Sequence, residues 1–454
     1  MVMLVIMVMG TAAFLVSSLS SSALKTVRQE TTAAALAQAK EALIGYAITY
    51  GDAYPGEVHG YLPCPDMANG NTEGMAETTN CGLKNISQIG RLPWKKLGLD
   101  ILRDGNSECL WYAVSGTYKN MPKTDLMNWD TLGLLEILDA SGATIAQNVV
   151  AVIFAPGVVL SNQNRAADGT SPICGGNYTT ANYLDNDTVH NINNTDIATG
   201  KFIQSHEDRD ANGNIILTVN DQMMFVTKQD IWNAVQKRTD FQPTSPNNPL
   251  KLLTQRVAEC LAYFGTKNTL LTLPNPLNKS LPWPAPLSLT DYADNVKYND
   301  KNGLFGGRVP YKVNTARNTS SNSISNEFLL QSDGANCPGW ASIYPWWDNW
   351  KDHLFYALGQ EFKPSSGSTS ACGTCLNING SGDYAAVVMF SGPKLSGQTR
   401  ADKSVVADYL EGFNASNVVG PANGNEDYQT AIASSTFNDI LYCIKEDLSV
   451  VPCP

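Results

Sequence analysis

The sequence predicts an α+β chain: one long N-terminal helix, apolar and then amphipathic, followed by two fused heads that each contain a sheet. Three observations predict it. The first 24 residues hold no charged side chain. Residues 25–50 are rich in Ala, Leu, Gln, Lys and Glu, all good helix formers, and contain no proline. Seven short blocks of the first half return in the same order in the second. The implied segments are 1–50 for the helix, 51–245 for the first head and 246–454 for the second.

The run from Met1 to Leu24 covers ~36 Å as a helix, enough for the core of a bilayer. A secretory signal peptide cleaved near Ser22 and Ala23 is the competing reading. Such a peptide needs a basic stretch ahead of its apolar core, and none precedes this one. Beyond Lys25 the apolar positions narrow to a stripe. Leu36, Leu43 and Tyr50 are seven apart, with Ala39, Tyr46 and Ala47 beside them, and Gly51 can supply the stop. Ala13, Ser17 and Ser21 recur every four residues, and in an apolar medium a stripe of small residues lets helices approach closely. With Val5 and Gly10 they are the expected helix–helix contacts. The bland alternative is that small residues fall there because the exit segment is rich in serine.

The heads follow from the repeated blocks. AKEALIGYA (39–47) returns as RVAECLAYF (256–264), LPCP (62–65) as LPWP (281–284), and GRLPW (90–94) as GRVPY (307–311). LWYAVSG (110–116) returns as LFYALGQ (354–360), and AVIFAPG (151–157) as AVVMFSG (386–392). LSNQNRAAD (160–168) is matched by LSGQTRADK (395–403), and NDQMMFVTKQD (220–230) by NDILYCIKED (438–447). A spacing of roughly 220–240 residues fits a duplicated domain and not a solenoid. The runs 149–155 and 385–390 are apolar, β-branched and closed by Pro or Gly, so they read as buried strands. WYAVS and FYALG fit strands or short helices equally. The proline-rich stretch 242–249 reads as the linker between heads.

Composition bounds the function. Of 454 residues 43% are hydrophobic and 16% charged, against ~25% charged in a typical soluble domain. The net charge of −11 argues against a nucleic-acid partner, which needs a basic face. The ten cysteines show no zinc spacing and read as disulfides of an oxidising compartment. The expected local pairs are Cys64–Cys81, Cys372–Cys375 and Cys443–Cys453.

The stretches ALAQAKEALIGYA (35–47), GYLPCPD (60–66), GRLPWKKLGL (90–99) and CLWYAVSG (109–116), behind an apolar N-terminus, resemble large bacterial type IV pilin-like proteins with prepilin-type N-termini. The resemblance implies a pilin-like fold. It also implies a single-pass inner-membrane location before assembly, then a cell-surface filament of like subunits or other pilins, as major, minor or tip subunit. In that family the fifth mature position is glutamate; here Val5 stands there, which leaves N-methylation and processing open.

No motif points to an enzyme. The four histidines, His59, His190, His206 and His353, form no metalloprotease pattern, and neither a nucleophile elbow nor a phosphate loop is present. Dispersed carboxylates leave a glycosidase pair as a third, weaker class. No catalytic residue and no cofactor are expected, with Ca2+ as the one candidate ion. Asp208, Asp210, Asn212 and Asn214 place oxygens as in the first half of a calcium loop, with Asp221 near enough to complete the shell. Asp66, Asn69, Asn71 and Glu73 form a similar loop. Both stretches also read as turns that bond their own backbone. Trp340, Trp346, Trp347 and Trp350 crowd one segment. They are either core or a surface contact, and the surface reading makes the chain an adhesin that docks glycan or another surface through its second repeat.

Overall fold

A computed structural model describes residues 2–67, 72–267, 279–313, 327–334, 336–364, 375–420 and 423–454, and of residues 2–22, 267 and 327–328 the backbone only. Two compact units emerge. The first is Met1–Ala53, His59–Thr124 and Thr131–Val235; the second is Tyr54–Val58, Asp125–Asp130 and Gln236–Pro454. The main run of the second unit thus begins ahead of the predicted linker.

In the first unit helix α1 spans Val2–Ala53. It runs through Gly51 and ends just before Pro55, whose ring disfavours helical geometry in the residue ahead of it. The strands are β1 (Gln88–Arg91), β2 (Trp111–Val114), β3 (Leu135–Leu138), β4 (Thr144–Ala155), β5 (Asn186–Asp187), β6 (Ile192–Asn193), β7 (Lys201–Ile203), β8 (His206–Arg209), β9 (Ile215–Val219) and β10 (Gln222–Thr227), followed by helix α2 (Lys228–Gln236). β4 is the spine of a six-stranded sheet ordered β1-β2-β4-β3-β7, with β10 also on β4. One edge of β4 takes β3 and β2 in succession: Leu135 pairs with Val149, and Trp111 with Phe154. β10 takes the other edge, from Gln222 opposite Ala155 to Thr227 opposite Val149. The predicted run 149–155 is the buried end of β4. β5 with β6, and β8 with β9, are separate hairpins.

The amphipathic half of α1 lies on this sheet. Ala35, Leu36, Ala39, Leu43, Ala47 and Tyr50 are buried and face β4 and β10. The alanines let the helix come close, and each buried leucine contributes about 1.5–3 kcal/mol. Lys40 pairs with Asp230 of α2 at 3.0 Å. Among the described residues no helix is long and apolar enough to cross a membrane. The side chains of Val5, Gly10, Ala13, Ser17 and Ser21 lie outside the described residues.

The second unit opens with helix α3 (Pro249–Lys267). Asn248 caps it, its Oδ1 accepting from the amides of Leu250 at 2.9 Å and Lys251 at 3.2 Å, with Pro249 in the first turn. Then come β11 (Gly306–Arg308), β12 (Lys312–Val313), β13 (Glu327–Phe328), helix α4 (Tyr344–Trp350), β14 (Leu354–Leu358), β15 (Leu376–Ile378), β16 (Ser381–Phe390), helix α5 (Gly412–Val419), β17 (Asp427–Tyr428), β18 (Ile440–Lys445) and β19 (Val450–Pro452). The sheet order is β11-β14-β16-β15-β17, with β18 on β16 and β19 on β18. This repeats the order of the six strands of the first sheet and adds β19 as a seventh. Each sheet has one parallel pair at matching places, β3 with β7 and β15 with β17, and antiparallel pairing elsewhere. WYAV and LFYAL are both strands, settling the choice that periodicity left open. α3 packs on β16, β18 and β19 through a buried face that includes Leu253, Val257, Cys260 and Phe264.

Four disulfides are described. Cys64–Cys81 and Cys443–Cys453 are the expected local pairs, while Cys109–Cys174 and Cys260–Cys337 span 65 and 77 residues and had no sequence signal. Cys372, and with it the expected Cys372–Cys375 pair, lies outside the described residues.

Candidate functional site

Asp210, Asn212 and Asn214 come together as the turn of the β8–β9 hairpin. Asp210 Oδ1 accepts from the amides of Asn212 and Asn214 at 2.8 Å each, and Oδ2 accepts from Asn214 Nδ2 at 3.0 Å. Those bonds hold the exposed Asp210 carboxyl below its usual range. Asp208 does not join them, and Asp221 is occupied elsewhere. In the other loop Asn69 and Asn71 lie outside the described residues. Asp66 Oδ2 accepts from Gly74 N at 2.7 Å and from the Tyr178 hydroxyl at 2.8 Å. Glu73 accepts from Ser171 Oγ and from the amides of Ile173 and Cys174.

Of the two readings of the tryptophans, core or surface contact, their burial fits core and not the surface contact. Trp340, Trp346, Trp347 and Trp350 are all buried. Trp347 stacks on Tyr311 at 5.3 Å, Trp350 meets Trp129 edge-on at 4.6 Å, and Trp340 Nε1 donates to the carbonyl of Leu330. α4 turns three indoles within seven residues into the unit, where each buries a large apolar area.

Asp208 instead faces His206. As residues i and i+2 of β8 they project from one face of the strand. His206 Nε2 lies 3.4 Å from Asp208 Oδ2 and 3.3 Å from Asp187 Oδ2. Asp187 Oδ2 is in turn 2.6 Å from His190 Nδ1, and the four ligand-type atoms all lie within 4.8 Å of one another. The β5–β6 hairpin places the first pair: Asp187 Oδ1 accepts from the amides of Val189 at 2.8 Å and His190 at 2.9 Å, which turns Oδ2 toward the imidazoles. Burial works against the Asp187 charge, but those bonds and His190 hold its carboxyl below the ordinary range. His206 Nδ1 is 2.8 Å from the carbonyl of Gln204, to which it donates, and this turns Nε2 inward toward the two carboxylates. The His206 side chain is only 5% exposed. Neither its Nε2 nor Asp208 Oδ2 has a hydrogen-bond partner.

A second polar cluster occurs in both units. In the first, Gln163 Nε2 donates to Asp185 Oδ1 at 2.8 Å, Asn220 N donates to Asp185 Oδ2 at 2.6 Å, and Asp221 Oδ2 accepts from Asp185 N at 2.8 Å and Asn194 Nδ2 at 3.0 Å. In the second, Gln398, Asn438, Glu411, Asp439 and Asn414 make the same bonds at 3.0, 2.9, 3.0 and 2.9 Å. Burial pushes the Asp185 carboxyl up to about 6, and burial and the facing carboxyl raise Asp221 and Asp439 well above the ordinary range.

His353 lies wholly buried in the second unit. Trp129 Nε1 donates to its Nε2 at 2.7 Å, its Nδ1 is 3.0 Å from Asp352 Oδ1, and Lys403 pairs with the other oxygen of Asp352. Burial works against the Asp352 charge, yet Lys403 and His353 hold that carboxyl far below its usual range. A closed network of this kind positions core elements.

No family model, no curated protein and no solved structure matches the chain.

Proposed function

We propose that the chain is a non-enzymatic structural subunit, major, minor or at the tip, of a type IV pilus-like surface filament, built in through α1. One observation carries this reading. From Thr32 to Tyr50 the helix lays one face on β4 and β10, whereas every residue from Ala23 to Thr31 is exposed, Leu24 at 61% and Val27 at 57%. A helix docked along one length and uncovered along the next holds its head and offers the remainder to equivalent helices. In that packing apolar side chains leave lipid for one another at little hydrophobic cost, and small residues set how closely the helices approach. Copies of this chain or other pilin subunits are the partners. The subunit waits in the bacterial inner membrane and works at the cell surface, an oxidising setting that suits the disulfides.

The test is fractionation of cells that produce the full chain. The chain is expected in sheared surface filaments with residues 2–22 retained, and a deletion of those residues is expected to leave a folded head that no longer enters filaments. Recovery only as single soluble molecules whose N-terminus lies beyond Ser22 would overturn the reading.

A further inference from the structure

Asp187, His190, His206 and Asp208 have no counterpart among the matched polar residues of the second unit. They sit where the first unit departs from the shared plan: the β5–β6 and β8–β9 hairpins both fall between Asp185 and Asp221, whereas α5 and β17 occupy the matching interval between Glu411 and Asp439. The two hairpins meet through β5 and β9, beside a small apolar cluster of Leu138, Ile203 and Val219. So little core leaves the hairpins in need of another tie.

We infer that these four residues form a binding site for a divalent transition ion of the zinc class, held by two imidazole nitrogens and two carboxylate oxygens. Three observations carry the inference. First, the donor set is N2O2, which suits zinc and its neighbours, whereas calcium takes oxygen alone and six to eight ligands of it. Second, the spacing fits. With metal–ligand bonds of about 2.0–2.2 Å, ligands of a tetrahedron lie ~3.3–3.5 Å apart. His206 Nε2 stands 3.3 Å from Asp187 Oδ2 and 3.4 Å from Asp208 Oδ2. Third, the inner atoms are oriented, and two of the four make no hydrogen bond. Gln204 holds the far nitrogen of His206, the amides of Val189 and His190 hold the far oxygen of Asp187, and His206 Nε2 and Asp208 Oδ2 are buried with no hydrogen-bond partner. Backing of this kind behind each ligand is how proteins fix the tautomer and aim of metal ligands.

Loading requires the four atoms, which lie within 4.8 Å of one another, to close to the tetrahedral spacing, and one pair to open. His190 Nδ1 and Asp187 Oδ2, 2.6 Å apart, share a proton in a hydrogen bond and must separate by roughly 0.7 Å to reach the tetrahedral spacing. The His190 proton then moves to Nε2 on a ring that is partly exposed. The ion joins the two hairpins at the point where apolar packing is thinnest, and it does so whether or not the chain enters a filament.

The experiment uses the full chain in detergent, stripped with EDTA and titrated with Co2+ and then Zn2+. One cobalt per chain with the strong visible bands of four-coordinate Co2+ is expected, displaced by one zinc, together with a higher melting temperature. His206→Ala and Asp208→Asn are expected to weaken zinc binding by more than the ~10–100-fold that loss of an outer-sphere partner costs. Asp210→Asn, in the exposed turn, is expected to bind as the unaltered chain does. Far-UV circular dichroism checks that each variant is folded, and His190→Ala, on the more open side, serves if His206→Ala is not. The inference is overturned if the stripped chain takes up no cobalt, if the bound cobalt has the weak spectrum of six-coordinate ions, if millimolar Ca2+ displaces the zinc, or if folded variants bind as well as the original. It is also overturned if nitrogen NMR finds both nitrogens of His206 protonated at neutral pH with zinc present, the signature of a plain ion pair.

Discussion

Asp185 and Asn220 clasp each other's neighbourhood: Asn220 donates its backbone amide to Asp185 Oδ2 at 2.6 Å, and the residue after it, Asp221, accepts from the Asp185 amide at 2.8 Å. Glu411 and Asn438 are joined in the same way in the second unit at 2.9 and 3.0 Å. Each clasp ties the residues that lead into β10 or β18 to a segment well before them in the chain. Each also brings two carboxyl groups together out of water, which favours the protonated form.

The stability of the first unit should therefore fall as pH rises from about 4 to 7. An aspartate with a value of 3.8 when unfolded and about 6 when folded holds its proton longer in the native state. The advantage is complete below about pH 4 and is lost as pH passes through about 6, an effect of order 1–3 kcal/mol. Other carboxylates, Asp187 and Glu73 among them, are held low and act in the opposite sense at more acid pH. Urea midpoints across this range, compared between the original chain and Asp221→Asn, isolate the pair. The variant should show the flatter profile; identical profiles would contradict the assignment.

Gly105→Ala should loosen α1 where it leaves the sheet. A methyl group at Gly105 would lie 2.2 Å from the carbonyl oxygen of Arg28 and 2.6 Å from its Cα, and the Gly105 amide donates to Thr32 Oγ1 at 2.9 Å. Since backbone cannot fold away from the methyl, the two segments must part, at about 1–3 kcal/mol. Hydrogen exchange should rise selectively over residues 28–36. Unchanged protection there would show that the close approach carries no weight.

Trp347→Ala should act on stability. The indole is fully buried and stacked on Tyr311, so its removal leaves a cavity costing about 3–5 kcal/mol. A lowered melting temperature is expected, with no glycan binding in the original chain that depends on this residue. A variant with the original melting temperature and weakened glycan binding would restore the surface role.

Period and composition made the elements legible, and chemistry that crosses between hairpins was not. Leu36, Leu43 and Tyr50 marked the buried face of α1 because a helix returns every seven residues to nearly the same side. The runs 149–155 and 385–390 marked the spines of the two sheets because strands covered on both faces are apolar throughout. The repeated blocks indicated two heads, and the two sheets share strand order. The four-residue cluster was missed because no local spacing joins Asp187 and His190 to His206 and Asp208. The signal was present in two pieces, Asp-x-x-His in a turn and His-x-Asp on a strand, and two of only four histidines were spent on it. Asp208 drew attention through Asp210, yet its strand aims it away from the turn. The long disulfides were hidden for the same reason.

All four described disulfides close within a single unit: Cys64–Cys81 and Cys109–Cys174 in the first, Cys260–Cys337 and Cys443–Cys453 in the second. Each unit can therefore form its own described links without waiting for the other to fold.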